Sequence, residues 1–315
     1  MEFLYDPERE EAAFIEMNTR IQVEHPVTEL ITGLDLVEQM IRVAAGEKLG
    51  IAQDDVTLNG WAIESRVYAE DPVRGFLPSI GRLTRYQPPA EQCTDDLIVR
   101  NDTGVFAGAE ISMFYDPMIA KLCTWAPTRE AAIDAMRDAL DGFVIDGIAH
   151  NMPFLASLMA HPRWREGRLT TNFIAEEYPD GFMPPEPDAE ARSILAAIAL
   201  SVEIIRKDRL DRHAGRIAPH SGRIGTDWVV RIGDERLALS VAAAEPGPQT
   251  KFTVATGQGA PAALETGFRL GDPLWTGSVG GTRVVAQIRP VANAMVIDWR
   301  GYSVTAQVMS PHVAE

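Results

Sequence analysis

Cysteine is nearly absent. The 315 residues hold only Cys93 and Cys123, with no Cys or His beside them at metal-ligand spacing, so neither a disulfide framework nor a zinc site is expected. Positive charge is also scarce. Lys and Arg number 29 against 45 Asp and Glu, and the formal net charge of −16 argues against binding nucleic acid or an anionic membrane surface, both of which require a surplus of cations. No apolar run approaches the roughly 20 residues that span a bilayer. The opening MEFLYDPEREEAAF is acidic, unlike the basic segment of a secretory signal, and no internal repeat or low-complexity tract occurs. These absences point to the reducing cytoplasm. What is present, 46% hydrophobic and 23% charged residues, is the composition of an ordinary globular protein with room for about two domains.

Hydrophobic periodicity orders the chain. Residues 13–24 read as a strand, since polar residues alternate with apolar ones after Phe14 and Ile15. Leu36, Val37, Met40, Ile41 and Ala44 then share one helical face, with Gly46 placed to end it. Residues 61–70 read as a half-buried strand, Trp61, Ile63 and Val67 inward and Glu64, Arg66, Tyr68 and Glu70 outward. Short strands follow, then a helix over 128–142 capped by Thr128 and buried through Ile133, Met136, Ala139 and Leu140, and a short helix over 153–160. The run YPDGFMPPEPD at 178–188 resists regular structure, offers few core residues and marks the main domain boundary. Beyond it, Asp188 caps a helix with the stripe Ile194, Leu195, Ile198, Val202 and Ile205. Strands are clearest at 228–232, 237–241, 252–255, 284–288, 295–299 and 302–308, which fits a helix leading into a small antiparallel barrel or sandwich.

The polar chemistry concentrates in residues 14–29, FIEMNTRIQVEHPVTE. If this run is extended, its period of two puts Glu16, Asn18, Arg20, Gln22 and Glu24 on one face. Glu16 and Asn18 offer hard oxygen ligands suited to Mg²⁺, which takes few protein groups and fills its shell from water and phosphates. Arg20 can clamp an oxyanion, and Glu24 can act as a general base on a substrate proton within reach. The same alternation also describes a solvated strand face with surface ion pairs, and pattern alone does not separate the two.

The run resembles the signature near the end of the ATP-grasp domain in biotin carboxylases. The likeness continues through ITGLDLVEQMIRVAAGEKL, WAIESRVYAEDP, GFLPSIGRLTRY, YDPMIAKL and IDGIAHNMPFL, and so covers most of residues 1–175. It implies an α+β fold: the C-terminal part of an ATP-grasp/biotin carboxylase fold, an antiparallel sheet with helices, followed by the helix and small β-barrel. The implied domains are 1–35 (end of the ATP-grasp domain), 36–178 (biotin carboxylase C-terminal domain), 179–187 (linker) and 188–315 (helix plus barrel). The implied activity is that of a ligase making the C–N bond of carboxybiotin from bicarbonate, ATP and biotin. By resemblance Glu16 and Asn18 bind the Mg²⁺ or Mn²⁺ that bridges ATP, and Glu24 deprotonates bicarbonate. Arg20, Gln22 and Val23 hold bicarbonate, while Arg66 contacts it and stabilises the enolate of biotin. His25 is read as a turn or packing residue, and Lys121 and Asp116 as structural.

Residues 188–315, chiefly RIGTDWVV at 223–230, resemble the linking domain of the propionyl-CoA carboxylase α-subunit family. That likeness implies docking on a carboxyltransferase β subunit through roughly residues 206–224. Arginines 206, 209, 212 and 216 would face an acidic partner surface or simply complement a helix C-terminus. The family's ATP-phosphate loop has no counterpart in these 315 residues, nor does the Ala-Met-Lys-Met acceptor of the biotin carrier domain. The isolated chain is therefore expected not to carboxylate free biotin, which leaves a non-catalytic docking module as the alternative reading. A 3-methylcrotonyl-CoA carboxylase α subunit and a carbamoyl-phosphate synthetase are further alternatives, the second disfavoured by the long likeness past Glu29.

Overall fold

The computed structural model describes residues 1–211, 225–245, 247, 249–256 and 260–314. They form two compact units, one of residues 1–66, 91–102 and 121–136, the other of residues 67–90, 103–120 and 137–315.

The first unit opens with an antiparallel hairpin of β1 (Glu2–Asp6) and β2 (Glu11–Glu16). Phe3 and Phe14 face each other edge to face, 5.7 Å apart. The strand expected over 13–24 ends at Glu16. Glu2 is already opposite Glu16, so β1 offers no further ladder partner, and residues 17–24 run as irregular chain. Helix α1 (His25–Thr32) begins at once, with Pro26 in its first turn and Gly33 closing it at φ 72°. Helix α2 (Leu36–Ala44) is capped by Asp35, whose carboxylate accepts from the Glu38 N–H at 2.8 Å. Its apolar stripe is not buried: Val37, Met40 and Ile41 all stand exposed.

A four-stranded sheet follows, formed by β3 (Trp61–Tyr68), β4 (Gln92–Cys93), β5 (Ile98–Thr103) and β6 (Met118–Ala126) in the order β3-β6-β5-β4. Gly60 leads into it at φ 66°, where a Cβ would lie 2.6 Å from the Trp125 ring, so only glycine lets the chain pass. The two sides of β3 depart from expectation. Trp61 is exposed, while the Glu64 side chain, expected outward, is buried. Helix α3 (Arg129–Asp141) follows with the Thr128 hydroxyl accepting from the Ala131 N–H, and Ile133, Met136, Ala139 and Leu140 are buried as expected.

In the second unit, α4 (Met152–Ala160) buries Phe154, which packs on Tyr178 and Phe182 at 5.4 Å each. Residues 178–188 have no helix or strand, and Phe182 is one of the few core residues there, as expected. Helix α5 (Ala189–Asp211) starts where Asp188 accepts from the Ala191 N–H at 2.8 Å. Eight strands then close into a barrel: β7 (Asp227–Ile232), β8 (Glu235–Glu245), β9 (Thr250–Thr256), β10 (Ala262–Thr266), β11 (Leu274–Val279), β12 (Thr282–Val291), β13 (Ala294–Trp299) and β14 (Tyr302–Met309). Each pairs antiparallel with the next, and β14 returns to β7.

The helix is not merely striped. Residues 194–202 of α5 are buried on every side, and α5 contacts β7, β9, β11, β13 and β14, so the barrel encloses it. Alanines 196, 197 and 199 keep it narrow enough to fit, and inside the barrel the Trp275 indole N–H donates to Ser201 Oγ at 2.9 Å. The β13–β14 turn lies on α4. Gly301, at φ 83°, permits this, since a Cβ there would be 3.0 Å from the Ser157 nitrogen. Two hydrogen bonds fix the same face: the Arg300 N–H to Asp141 Oδ1 at 2.8 Å, and Gln287 Nε2 to the Phe143 carbonyl at 2.9 Å. No helix among the described residues is long and apolar enough to cross a membrane.

Candidate active site

The irregular run 17–24 carries most of the residues singled out by sequence, and hydrogen bonds of its own side chains shape it. Asn18 Nδ2 donates to Glu2 Oε1 at 2.8 Å and to Glu16 Oε1 at 3.2 Å, while Gln22 Nε2 donates to the same Glu2 oxygen at 3.1 Å. Glu2, which the sequence reading passed over, is thus the acceptor that gathers Asn18 and Gln22, with Glu16 joined through Asn18. Asn18 turns its amide N–H groups toward the Glu16 and Glu2 carboxylates, while Glu16 and Asn18 both carry oxygen atoms of the kind a divalent cation takes alongside phosphate and water. Arg20 is not drawn in. Its guanidinium bonds the Ile21 carbonyl at 3.1 Å. A concavity of about 680 Å³ runs along this loop, lined by Asn18, Arg20, Gln22, Glu24 and, from α2, Met40.

Glu24 and Arg66 do meet. Arg66 Nη2 donates to Glu24 Oε2 at 2.8 Å, and Arg66 Nε donates to Glu64 Oε1 at 3.1 Å. The period of β3 explains the second contact, because residues two apart share a face. Burial pushes the Glu64 carboxyl up from its ordinary value, and the hydrogen bond and charge of Arg66 offset that only in part. The neighbouring Cys123 thiol is also driven upward by burial, so it is no ready nucleophile.

Behind Glu24 five side chains form a ring. His25 Nδ1 lies 3.1 Å from Glu29 Oε1; Arg100 Nη1 donates to Glu29 Oε2 at 2.7 Å; and Arg100 grips both oxygens of Asp102 at 2.7 and 2.8 Å. Lys121 Nζ closes the circuit, 3.5 Å from Asp102 Oδ2 and 3.1 Å from His25 Nε2. Lys121 also donates to the Val23 carbonyl at 3.3 Å, the main-chain group next to Glu24. Burial, the largest single influence, would raise the Glu29 and Asp102 carboxyls, but the hydrogen bonds and charges of Arg100, His25 and the Leu36 N–H on Glu29, and of Arg100 and Lys121 on Asp102, together outweigh it and hold both below their ordinary values. Lys121 and His25, read from sequence as structural, therefore fix the turn that carries Glu24. A lysine inside the apolar strand MIAKLC was the signal available for it.

In the second unit, Arg206 of α5 is paired with Glu203 at 2.7 Å. Arg212 and Arg216, and the Arg223 and Ile224 that open RIGTDWVV, lie outside the described residues.

Three stretches match family models: residues 64–176 the biotin carboxylase C-terminal domain, residues 195–315 the propionyl-coenzyme A carboxylase BT domain, and residues 1–52 the ATP binding domain of the carbamoyl-phosphate synthase L chain. The propionyl-CoA carboxylase alpha chain of Ruegeria pomeroyi is 49% identical over 100% of this chain and 48% of its own length. The mitochondrial propionyl-CoA carboxylase alpha chain of Mus musculus is 40% identical over 100% of this chain and 43% of its own. The chain thus spans about half the length of the curated relatives it matches. Among solved structures, it is similar to the biotin carboxylase domain of Hydrogenobacter thermophilus 2-oxoglutarate carboxylase, in a complex with MgADP, ADP and bicarbonate. The TM-score there is 0.54 and the identity 46%, over 58% of this chain and 39% of that one.

Proposed function

From its membership of the family of biotin carboxylase-containing α chains, of which it spans about half the length, we propose that this protein takes part in the ATP-dependent carboxylation of biotin by bicarbonate. The pairing of Glu24 with Arg66 at 2.8 Å carries the reading, because it sets a carboxylate base beside a guanidinium that can take up an oxyanion. In this scheme Glu24 removes the bicarbonate proton, and Arg20, Gln22 and Val23 line the anion. Arg66 contacts the anion and offsets the charge that develops on the biotin enolate. Glu16 and Asn18 would hold Mg²⁺ or Mn²⁺, which when bound neutralises ATP phosphate charge. Arg20 must turn from the Ile21 carbonyl to reach the anion, a side-chain motion open to an exposed arginine.

Partners follow from the same premise. The BT domain match over residues 195–315 supports docking on a carboxyltransferase β subunit, with propionyl-CoA as the acyl substrate of the assembly and a biotin carrier domain delivering biotin. Division of the chain at 1–35, 36–178, 179–187 and 188–315 is the domain scheme that goes with it. A reducing, cytoplasmic setting is supported by the two cysteines, exposed Cys93 and buried Cys123, both free.

The test is ATP-dependent transfer of labelled bicarbonate to biotin by the full-length protein, with and without biotin. Label retained on biotin supports the proposal, and ATP hydrolysis indifferent to both biotin and bicarbonate rejects it. Residues 1–315 alone retaining a β subunit without carboxylating biotin would assign the docking role to this part of the protein.

A further inference from the structure

Arg66 is held by two carboxylates that differ in mobility. Glu24 stands on irregular chain with its side chain 50% exposed, and Glu64 stands on β3 with its side chain 5% exposed. They also take different nitrogens of the guanidinium: Glu24 meets Nη2, and Glu64 meets Nε. An exposed carboxylate exchanges partners with water in nanoseconds, whereas a buried one has no solvent to exchange with.

The difference matters because Glu24 is to serve both Arg66 and a substrate proton. Glu24 engages Nη2 through one oxygen, and an oxyanion arriving at Arg66 competes for that donor, so the Nη2 that Glu24 gives up is the one that meets the anion. A long side chain released at one end would ordinarily follow its partner or reorient. The Nε contact to Glu64 prevents that by fixing the plane of the fork.

We propose that Glu64 is a positioning residue that tethers Arg66 while Glu24 exchanges with an oxyanion, bicarbonate in the reading above, on which this inference rests. Its second oxygen faces the Cys123 thiol at 3.9 Å rather than solvent, so the carboxylate has nowhere else to turn. Glu64 itself does not touch the reacting atoms. Its effect reaches them through the orientation of Arg66.

The experiment compares Glu64→Gln, Arg66→Met and the double variant in the full-length protein, measuring kcat and KM for bicarbonate and for ATP separately. The tether predicts that Glu64→Gln lowers kcat/KM for bicarbonate by about tenfold or more and leaves KM for ATP within about twofold. In the Arg66→Met background the same change should add nothing. Glu64→Asp, with the charge on a shorter arm, should fall between wild type and Glu64→Gln. Equal losses toward ATP and bicarbonate, additive losses in the double variant, or no change in Glu64→Gln beside a crippled Arg66→Met would each overturn the tether. An Arg66→Met variant of undiminished activity would instead reject the functional reading itself, and the tether with it.

Discussion

The two units of the chain are stabilised by different physics. In the first, exposed apolar residues sit on the β1–β2 hairpin and on α2, and the organised part is a ring of charges, Glu29, His25, Lys121, Asp102 and Arg100. In the second, a helix buried on every side fills a closed barrel, and ion pairs such as Lys251 with Glu265 lie at the surface, away from that core. Charge networks hold reactive groups in place at some cost in desolvation, whereas apolar packing supplies stability without chemistry. The candidate site lies in the unit of the first kind.

The contrast can be broken by substitution, the largest effect falling on the barrel. Leu200, fully buried in α5, should cost about 2–5 kcal/mol as Leu200→Ala, read as a lower denaturant midpoint for the second unit. A loss below about 1 kcal/mol would mean that the barrel tolerates a cavity and is less tightly packed than its burial indicates.

Lys121 and Lys251 sharpen it, as the same cation in two settings. Lys121, 14% exposed, serves the Val23 carbonyl, His25 and Asp102, and Lys121→Met should cost about 2 kcal/mol by taking the lysine from the Val23 carbonyl and His25 Nε2, Asp102 keeping Arg100. Lys251 pairs with Glu265 on the outside of the barrel, and Lys251→Ala should leave the unfolding midpoint unchanged. Similar shifts for the two would contradict the importance given to the ring.

Asp141 is the exception inside the second unit, a buried carboxyl whose effect depends on pH. Burial pushes its carboxyl up to about 8 from 3.8, so between those values the folded chain holds a proton that the unfolded chain has released. Folding then takes up protons, and stability from this group falls as pH rises through the window from 4 to 8, level on either side. Asp141→Asn keeps an acceptor for the Arg300 N–H and loses the slope. Thermal unfolding should show the variant gaining stability relative to wild type as pH rises toward about 8.5, with the advantage vanishing near pH 4. An advantage independent of pH would contradict a buried protonated carboxyl.

How much of this was legible in the sequence depends on which physics dominates locally. Six barrel strands could be read because β-branched and aromatic residues alternate in them. Ala262–Thr266 and Leu274–Val279 were overlooked, being short, bounded by Gly267 and Pro273, and in the second case interrupted by Gly277. The enclosure of α5 was hidden because alanine suits a buried or an exposed helical face equally. The alternation of residues 13–24 was real, but a strand needs a ladder partner, and β1 supplies none past Glu2. The sequence reading named Glu24 and Arg66 separately and could not show that they meet. Nor could it reveal the burial of Glu64, or that Lys121, named only as structural, reaches Val23 and His25 many residues away.

The central claim is that Glu24 and Arg66 form one bicarbonate-handling pair, and the most direct measurement is bicarbonate-dependent ATP hydrolysis by full-length Glu24→Gln. Loss of a general base predicts a fall in kcat of about 100-fold or more, with the unfolding midpoint within about 0.5 kcal/mol of wild type, since an exposed ion pair contributes little stability. A folded Glu24→Gln protein turning over at the wild-type rate would contradict the account.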